Sequence, residues 1–300
     1  MLQIFISDSK LRPFWRAVLF LVIGIYVLPI ALDPLFAWLN SVFHTAPLSP
    51  LETFIDESEL LVIALITTGI FAWYEGRRIW DYGLPLGQAF RGRFWEGFAI
   101  GVAGAALVAG GMMALHGMVI QGIALTGSQL IIAALAWLAA NLMVGFAEEL
   151  WFRGYLLQTL WKSLGFWPAA ILIALFFAAE HFFFKQGENV WDVITLVSLS
   201  IWVCITVLRT GTLWLAVGFH AAFDYMQLFV IGTKNGNIVP VDHLLNVSFP
   251  GPAWVTGGVL GTEASLLMYP VIALMYVYVL WRTRDVNAQA TTRLTSLPGT

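Results

Sequence analysis

The sequence predicts an all-α, multi-pass transmembrane helical bundle of about eight spans. Three observations carry that prediction. Of its 300 residues 59% are hydrophobic and only 11% are charged, where a soluble domain carries about 25% charged residues. The apolar residues fall in long runs, and a membrane helix needs about 20 of them. Lysine and arginine then gather on one side of the alternation that those runs imply.

The runs can be taken in chain order. Phe14–Leu32 follows Lys10 and Arg12 and holds Arg16 in its first turn, with no small-residue cleavage site after it. It reads as a retained anchor and not as a removed signal peptide. Leu60–Tyr74 is shorter and follows an acidic stretch with Glu52, Asp56, Glu57 and Glu59. "DYGLPLGQAFRGR" at 81–93 reads as a connector with an interfacial helix. Phe98–Leu115 is the third span, and the fourth runs from Leu130 through Ala147 and beyond. Trp167–Phe184, Val190–Leu208 and Leu213–Ile231 follow closely. Residues 233–262, rich in Gly, Pro and Asn, read as a long loop before the last span, Ala264–Trp281. The polar tail after Arg284 is expected to be disordered.

With the N-terminus in the cytoplasm and eight alternating spans, 13 of the 15 lysines and arginines fall on the inner side and 2, Lys185 and Lys234, on the outer. By the positive-inside rule both termini are expected in the cytoplasm and the chain in the cell membrane. The organisation expected is helices and connector in 1–128, a core in 129–232, the loop and last span in 233–284, and the tail in 285–300.

Composition also excludes. A net charge of −3 leaves no basic face for nucleic acid. One cysteine, Cys204, rules out an intrachain disulfide framework and a cysteine metal cluster. No cofactor is expected. Fourteen tryptophans suit interfacial belts, and lipid is the expected surrounding partner.

The stretch that needs explaining is "GFAEELWFRGYL" at 145–156. Glu148, Glu149 and Arg153, if all deep and unpaired in a membrane, would cost roughly 8–10 kcal/mol. Either they lie at the water interface, on an amphipathic surface helix over 148–165, or they are paired and useful. "LWFRGYLLQTLW" at 150–161 is apolar on nearly every face, so the helix is expected to continue to a turn at "KSLGFWP", with Gly165 as its stop signal. From that turn Glu148 lies about 16 residues back and His181 about 17 forward, each about 25 Å along its helix. His220 and Asp224 lie about 16–22 Å beyond Arg209. The four groups therefore fall in one layer.

Spacing assigns partners within each helix. Glu149 and Arg153 are i,i+4, the favourable order for an ion pair. Glu148 points about 100° away. His220 and Asp224 are also i,i+4 and share a face. Intramembrane ionisable groups turn toward the bundle interior or a wet cavity. The economical arrangement has Arg153 bracing Glu149, while Glu148, His181, His220 and Asp224 converge on a cavity. Glu180, beside His181, is expected to point elsewhere on the helix and to lie near water, with a role as competing base the alternative. His44, His116 and His243 are expected to be solvated, Asn141 to join two helices, and the phenylalanines at 176–177 and 182–184 to pack or to meet lipid.

Such a set suits a water-activating hydrolase. A desolvated glutamate is a good general base, and with His181 it can activate one water. His220 and Asp224 can hold a carbonyl or its oxyanion. An ionised Asp224 cannot donate a hydrogen bond, so it would act protonated or by orienting His220. The same two histidines and two carboxylates (Glu148, His181, His220, Asp224) also make a zinc donor set with an open position, although no H-E-x-x-H is present.

The motifs E-E-x-x-x-R (Glu148, Glu149, Arg153), F-x-x-x-H (Phe177, His181) and H-x-x-x-D (His220, Asp224), in that order over roughly 140–228, resemble the CAAX protease and bacteriocin-processing family. That family includes the type II CAAX prenyl endopeptidases, also called Abi proteins. The resemblance implies a bundle of about eight helices and marks 129–232 as the catalytic core. It implies that Glu148 and His181 activate water and that His220 and Asp224 form the oxyanion site. Asp224 departs from the asparagine usual in the prenyl proteases, although aspartate occurs in the wider family. The substrate implied is a hydrophobic or lipidated peptide or protein. Two other readings use the same groups: a non-catalytic immunity or scaffold protein that retains the bundle, and a proton-coupled transporter. No paired halves favour the transporter.

Overall fold

The computed structural model describes residues 6–7, 10–187 and 189–284; the tail expected over 285–300 lies outside them. Two short strands, β1 (Ile6–Ser7) and β2 (Lys10–Leu11), pair antiparallel ahead of α1 (Pro13–Val22). Pro13 opens α1, where its missing N–H costs nothing. The helix continues to Val27 and is bent by 43° from α2 (Pro29–Phe43). Pro29 at the junction cannot continue the hydrogen-bond ladder.

Helix α3 (Pro50–Glu75) is capped by Ser49, whose Oγ accepts from the Glu52 N–H at 3.2 Å. Then come α4 (Gly92–Ala114), β3 (Val119–Ile123) and α5 (Gly127–Glu149). A wide π turn over Leu150–Leu156 leads into α6 (Leu157–Leu164). Gly165, at φ 86°, turns the chain into α7 (Phe166–Phe184). The rest comprises α8 (Val190–Thr210), α9 (Trp214–Asp224), β4 (Leu245–Ser248), α10 (Ala253–Thr256) and α11 (Met268–Arg282). The expected loop over 233–262 thus holds a strand and a short helix, and β4 pairs antiparallel with β3.

Five helical segments among the described residues are long and apolar enough to cross a membrane: α4, the stretch Gly127–Leu164, α7, α8 and Trp214–Ile231. The bent pair, taken as one span, brings the number to six. The two remaining expected spans are helical as well, Leu60–Tyr74 inside α3 and Ala264–Trp281 largely as the 15-residue α11. The protein is an all-α multi-pass bundle.

The stretch Gly127–Leu164 runs through the charged motif to the Gly165 turn, and residues 150–161 are buried throughout. That removes the surface-helix alternative. Its 38 residues would reach about 57 Å if straight, well beyond a bilayer core of about 30 Å. The chain is kinked at Gly154, with ψ −112°, so the stretch is not one straight helix.

What positions the site is the seating of α9 between α4 and α5. Glycines let these backbones touch, as in other packed membrane helices. A Cβ on Gly101 of α4 would lie 2.5 Å from the Phe219 carbonyl oxygen, and one on Gly145 of α5 2.9 Å from that of Val217. Gly97 and Gly218 meet the Leu215 and Phe94 carbonyls more closely still. At one end of the bundle Phe20 stacks on Trp151 and Tyr155, with centroids 5.0 and 5.3 Å away. There Glu75 gathers Arg16 (2.5 Å), Tyr155 (2.8 Å) and Tyr82 (2.9 Å). This end is closed.

Candidate active site

The first motif ends α5. Glu149 and Arg153 are 0% and 1% exposed, and with Glu148 they line a cavity of about 320 Å³. The π turn that starts at Leu150 widens the helix directly after the glutamates. A second π turn, Tyr225–Ile231, directly follows Asp224. Wide turns of this kind recur at functional sites because they re-aim side chains that a regular helix would carry past.

Arg153 is held from three sides. Nη1 lies 3.3 Å from Glu149 Oε1, Nη2 donates to Ser200 Oγ of α8 at 2.7 Å, and the guanidinium sits 4.7 Å from the centre of the Phe177 ring. The expected brace is present, but Glu149 does more than hold Arg153. Its Oε1 also accepts from His220 Nδ1 at 2.9 Å. That bond fixes the imidazole orientation and leaves Nε2 to face the cavity.

Around Nε2 stand two carboxylates, Glu148 Oε2 at 3.6 Å and Asp224 Oδ2 at 3.5 Å. These are Coulombic contacts and not hydrogen bonds; Glu148 Oε2 is buried with no hydrogen-bond partner among the described residues. His181 lines the same cavity from α7. Its Nδ1 lies 2.9 Å from the Phe177 carbonyl of its own helix, an arrangement in which Nδ1–H donates and Nε2 is the free acceptor. Glu148, His181, His220 and Asp224 therefore all line one cavity, as their matched depth implies. Among the described residues no group of three or more His, Cys, Asp or Glu side chains is placed to hold a metal ion.

Some residues match expectation, Asn141 differs from it, and others carried none. Glu57 of α3 lines the cavity beside Glu148 and Asp224, although no motif marks it. Its one signal in the sequence is the crowding of carboxylates over 52–59, more than a helix cap needs. Ser200 carries no signal, being one serine in an apolar helix. Asn141 does not bridge helices: its Nδ2 donates to the Trp137 carbonyl one turn back at 2.8 Å, since a neighbouring acceptor is nearest within its own helix. His44 and His116 are exposed. His243 is half-buried, with Nδ1 on the Pro240 carbonyl at 2.8 Å. Phe177 is buried and Phe183 and Phe184 are exposed, as packing and lipid contact require. Glu180 lines a wider vestibule beyond the cavity. At that rim burial raises the Asp56 carboxyl above its ordinary range, against the lowering effect of its hydrogen bond from Asn40.

Fold and site together define a multi-pass helical membrane protein with a polar cluster sunk among its apolar helices. Residues 128–226 match the family model described as type II CAAX prenyl endopeptidase Rce1-like, the family that the three motifs resemble. The chain is also 31% identical over 136 residues to the uncharacterized protein YyaK of Bacillus subtilis (strain 168), a match covering 43% of this chain. It spans 44% of that relative's length.

Proposed function

We propose that this protein is an intramembrane endopeptidase that hydrolyses peptide bonds of membrane-associated substrates, with prenylated CAAX-type peptides as the first class to test. The observation that carries the reading is the approach of Glu148 and Asp224 to His220 Nε2, at 3.6 and 3.5 Å, in a cavity that His181 also lines.

In this reading Glu148, with the free nitrogen of His181, takes a proton from water. The water oxygen adds to the peptide carbonyl carbon, and the carbonyl oxygen becomes an oxyanion. A proton on His220 Nε2 lets the ring donate to that oxygen, while Glu149 holds Nδ1. The C–N bond then breaks and the amine nitrogen takes the proton from Glu148, leaving a carboxylic acid and an amine, which become carboxylate and ammonium once the acid proton passes to the amine. Asp224 orients the His220 side chain or, when protonated, donates beside it. No serine or cysteine nucleophile is used, and no metal enters these steps.

The test is cleavage of a quenched prenylated CAAX peptide by purified protein in liposomes, comparing wild type, Glu148→Gln, and wild type with a strong zinc chelator. Loss in the variant and retention with chelator is the expected result. Loss in both would move the reading to zinc, and retention in Glu148→Gln would remove Glu148 from the mechanism. Folded, inserted variants without a phenotype would favour an immunity or scaffold protein.

A further inference from the structure

We propose that the cavity opens on the non-cytoplasmic side of the membrane, so that the site takes its peptide from that side: an exported peptide, or the outward-facing end of a membrane segment. The substrate half of this rests on the endopeptidase reading; the orientation half does not.

The cavity continues in one direction into a wider vestibule. Toward Glu75 it ends on Arg153, behind which Phe152, Tyr155 and Leu156 are buried in the core. The other way it runs out past Lys185, Lys234 and Asn235 into a vestibule that also touches Pro47, Gln186 and Ile238. These residues belong to chain segments that meet at one end of the bundle. The Val241 N–H donates to the Leu48 carbonyl at 3.0 Å, the Asn237 N–H to that of Val259 at 2.7 Å, and Lys185 pairs with Glu263 at 3.6 Å. The start of α3, the ends of α7 and α9 and the start of α11 thus mark the mouth end.

The opposite end is equally well defined. Arg16 pairs with Glu75 at 2.5 Å, the Leu213 N–H donates to the Gly83 carbonyl at 2.7 Å, Trp214 Nε1 to that of Pro85 at 3.2 Å, and Arg282 pairs with Glu96 at 3.6 Å. The start of α1, the end of α3, the start of α4, the start of α9 and the end of α11 all meet here.

The basic residues divide between these two ends. Arg16, Arg77, Arg91, Arg93, Arg209 and Arg282 all lie at the closed end, and Lys185 and Lys234 at the mouth. The connectors concerned are short and their charges sit close to the helix ends, the regime in which lysine and arginine set orientation. Carboxylates do not offset the bias, because they count little in that rule. Glu52, Asp56 and Glu57 at the mouth are therefore compatible with it. The end that faces the cytoplasm is the closed one.

Single cysteines test this. Ile238→Cys lies at the exposed vestibule rim, and Gln88→Cys is exposed at the closed end. The chain's own Cys204 is buried and sets the background. Each variant is expressed in a bacterial host and treated with a membrane-impermeant maleimide, in spheroplasts and after permeabilisation, with labelling in denaturant as the full-scale reference. Labelling of Ile238→Cys in spheroplasts, and of Gln88→Cys only after permeabilisation, is expected. The reverse pattern would overturn the proposal, and so would equal labelling of both in spheroplasts. If either position resists labelling when folded, Asn237→Cys and Arg91→Cys, both exposed, replace them with the same two outcomes. Labelling reads orientation without catalysis, so its failure is distinct from loss of the endopeptidase reading, which the Glu148→Gln cleavage assay addresses.

Discussion

Glu149 Oε1 lies 2.9 Å from His220 Nδ1, joining residues on two different helices into one hydrogen-bonded pair. The carboxylate is fully buried, and both residues line the cavity. Glu149 thus holds the imidazole ring of His220 from within the same cavity. Partners of this kind set which nitrogen of a histidine is presented and at what angle.

We predict that Glu149→Gln lowers kcat for peptide cleavage about 10–100-fold with little change in KM, the loss usual when the partner of a functional histidine is removed. An amide can still meet the imidazole, but it presents either an oxygen or an NH₂ group and no longer a negative charge. Kinetics on purified variant in liposomes would decide. A kcat equal to the wild-type value would mean that the pair is only structural.

Arg153 presents a separate expectation. Removing it leaves Glu149 buried with one partner fewer, and breaking a buried ion pair from one side costs about 3–5 kcal/mol. Arg153→Leu should unfold at clearly lower temperature in detergent. Arg153→Lys should recover only part of the loss, because one ammonium cannot reach both Glu149 and Ser200 with the geometry of the guanidinium fork. Unchanged thermal stability in Arg153→Leu would contradict the ion pair described here.

Asp224 ends the H-x-x-x-D motif that begins at His220. Its Oδ2 faces His220 Nε2 at 3.5 Å, and an amide there can donate to an oxyanion without needing a proton from solution. Asp224→Asn should keep cleavage, and Asp224→Ala should lower kcat about 10²–10³-fold, as loss of an oxyanion donor does. Equal loss in both variants would show that the charge at 224, and not a donor, is what the site uses.

The glycine seam can be tested away from the chemistry. Gly218→Ala pushes a methyl group onto the Phe94 carbonyl of the neighbouring helix. Overpacking of this kind costs about 1–3 kcal/mol. Gly87→Ala meets nothing within 4 Å and is the matched control. A lower unfolding temperature is expected for Gly218→Ala alone; equal temperatures would mean that α4 and α9 do not pack as described.

Much of the site is legible in the sequence because its motifs are local. An i,i+4 spacing places two side chains on one helical face whatever the rest of the chain does. Glu149 with Arg153, and His220 with Asp224, need nothing more. Matched depth on either side of the Gly165 turn needs only the rise of a helix, and it brings His181 to the same cavity as Glu148. Asn141 goes the other way. A buried amide in an apolar helix can bond across to a neighbour or back along its own turn, and spacing does not choose between them; it bonds back to Trp137.

The amino-acid order is enough to make the chain a bundle of membrane helices, to say which stretches are helical, and to say which charged side chains share a face. Those properties follow from apolar run length and from the fixed geometry of one helix. Which faces meet is a matter of packing between helices. Glu149 bonds to a histidine 71 positions away, Arg153 bonds to Ser200, and Glu57 comes to the cavity from a helix about 90 residues earlier in the chain than the first motif. None of these contacts has a local signature. Each depends on how closely α4, α5 and α9 approach, and that distance is set by side chains on three helices at once, above all by the glycines that have none.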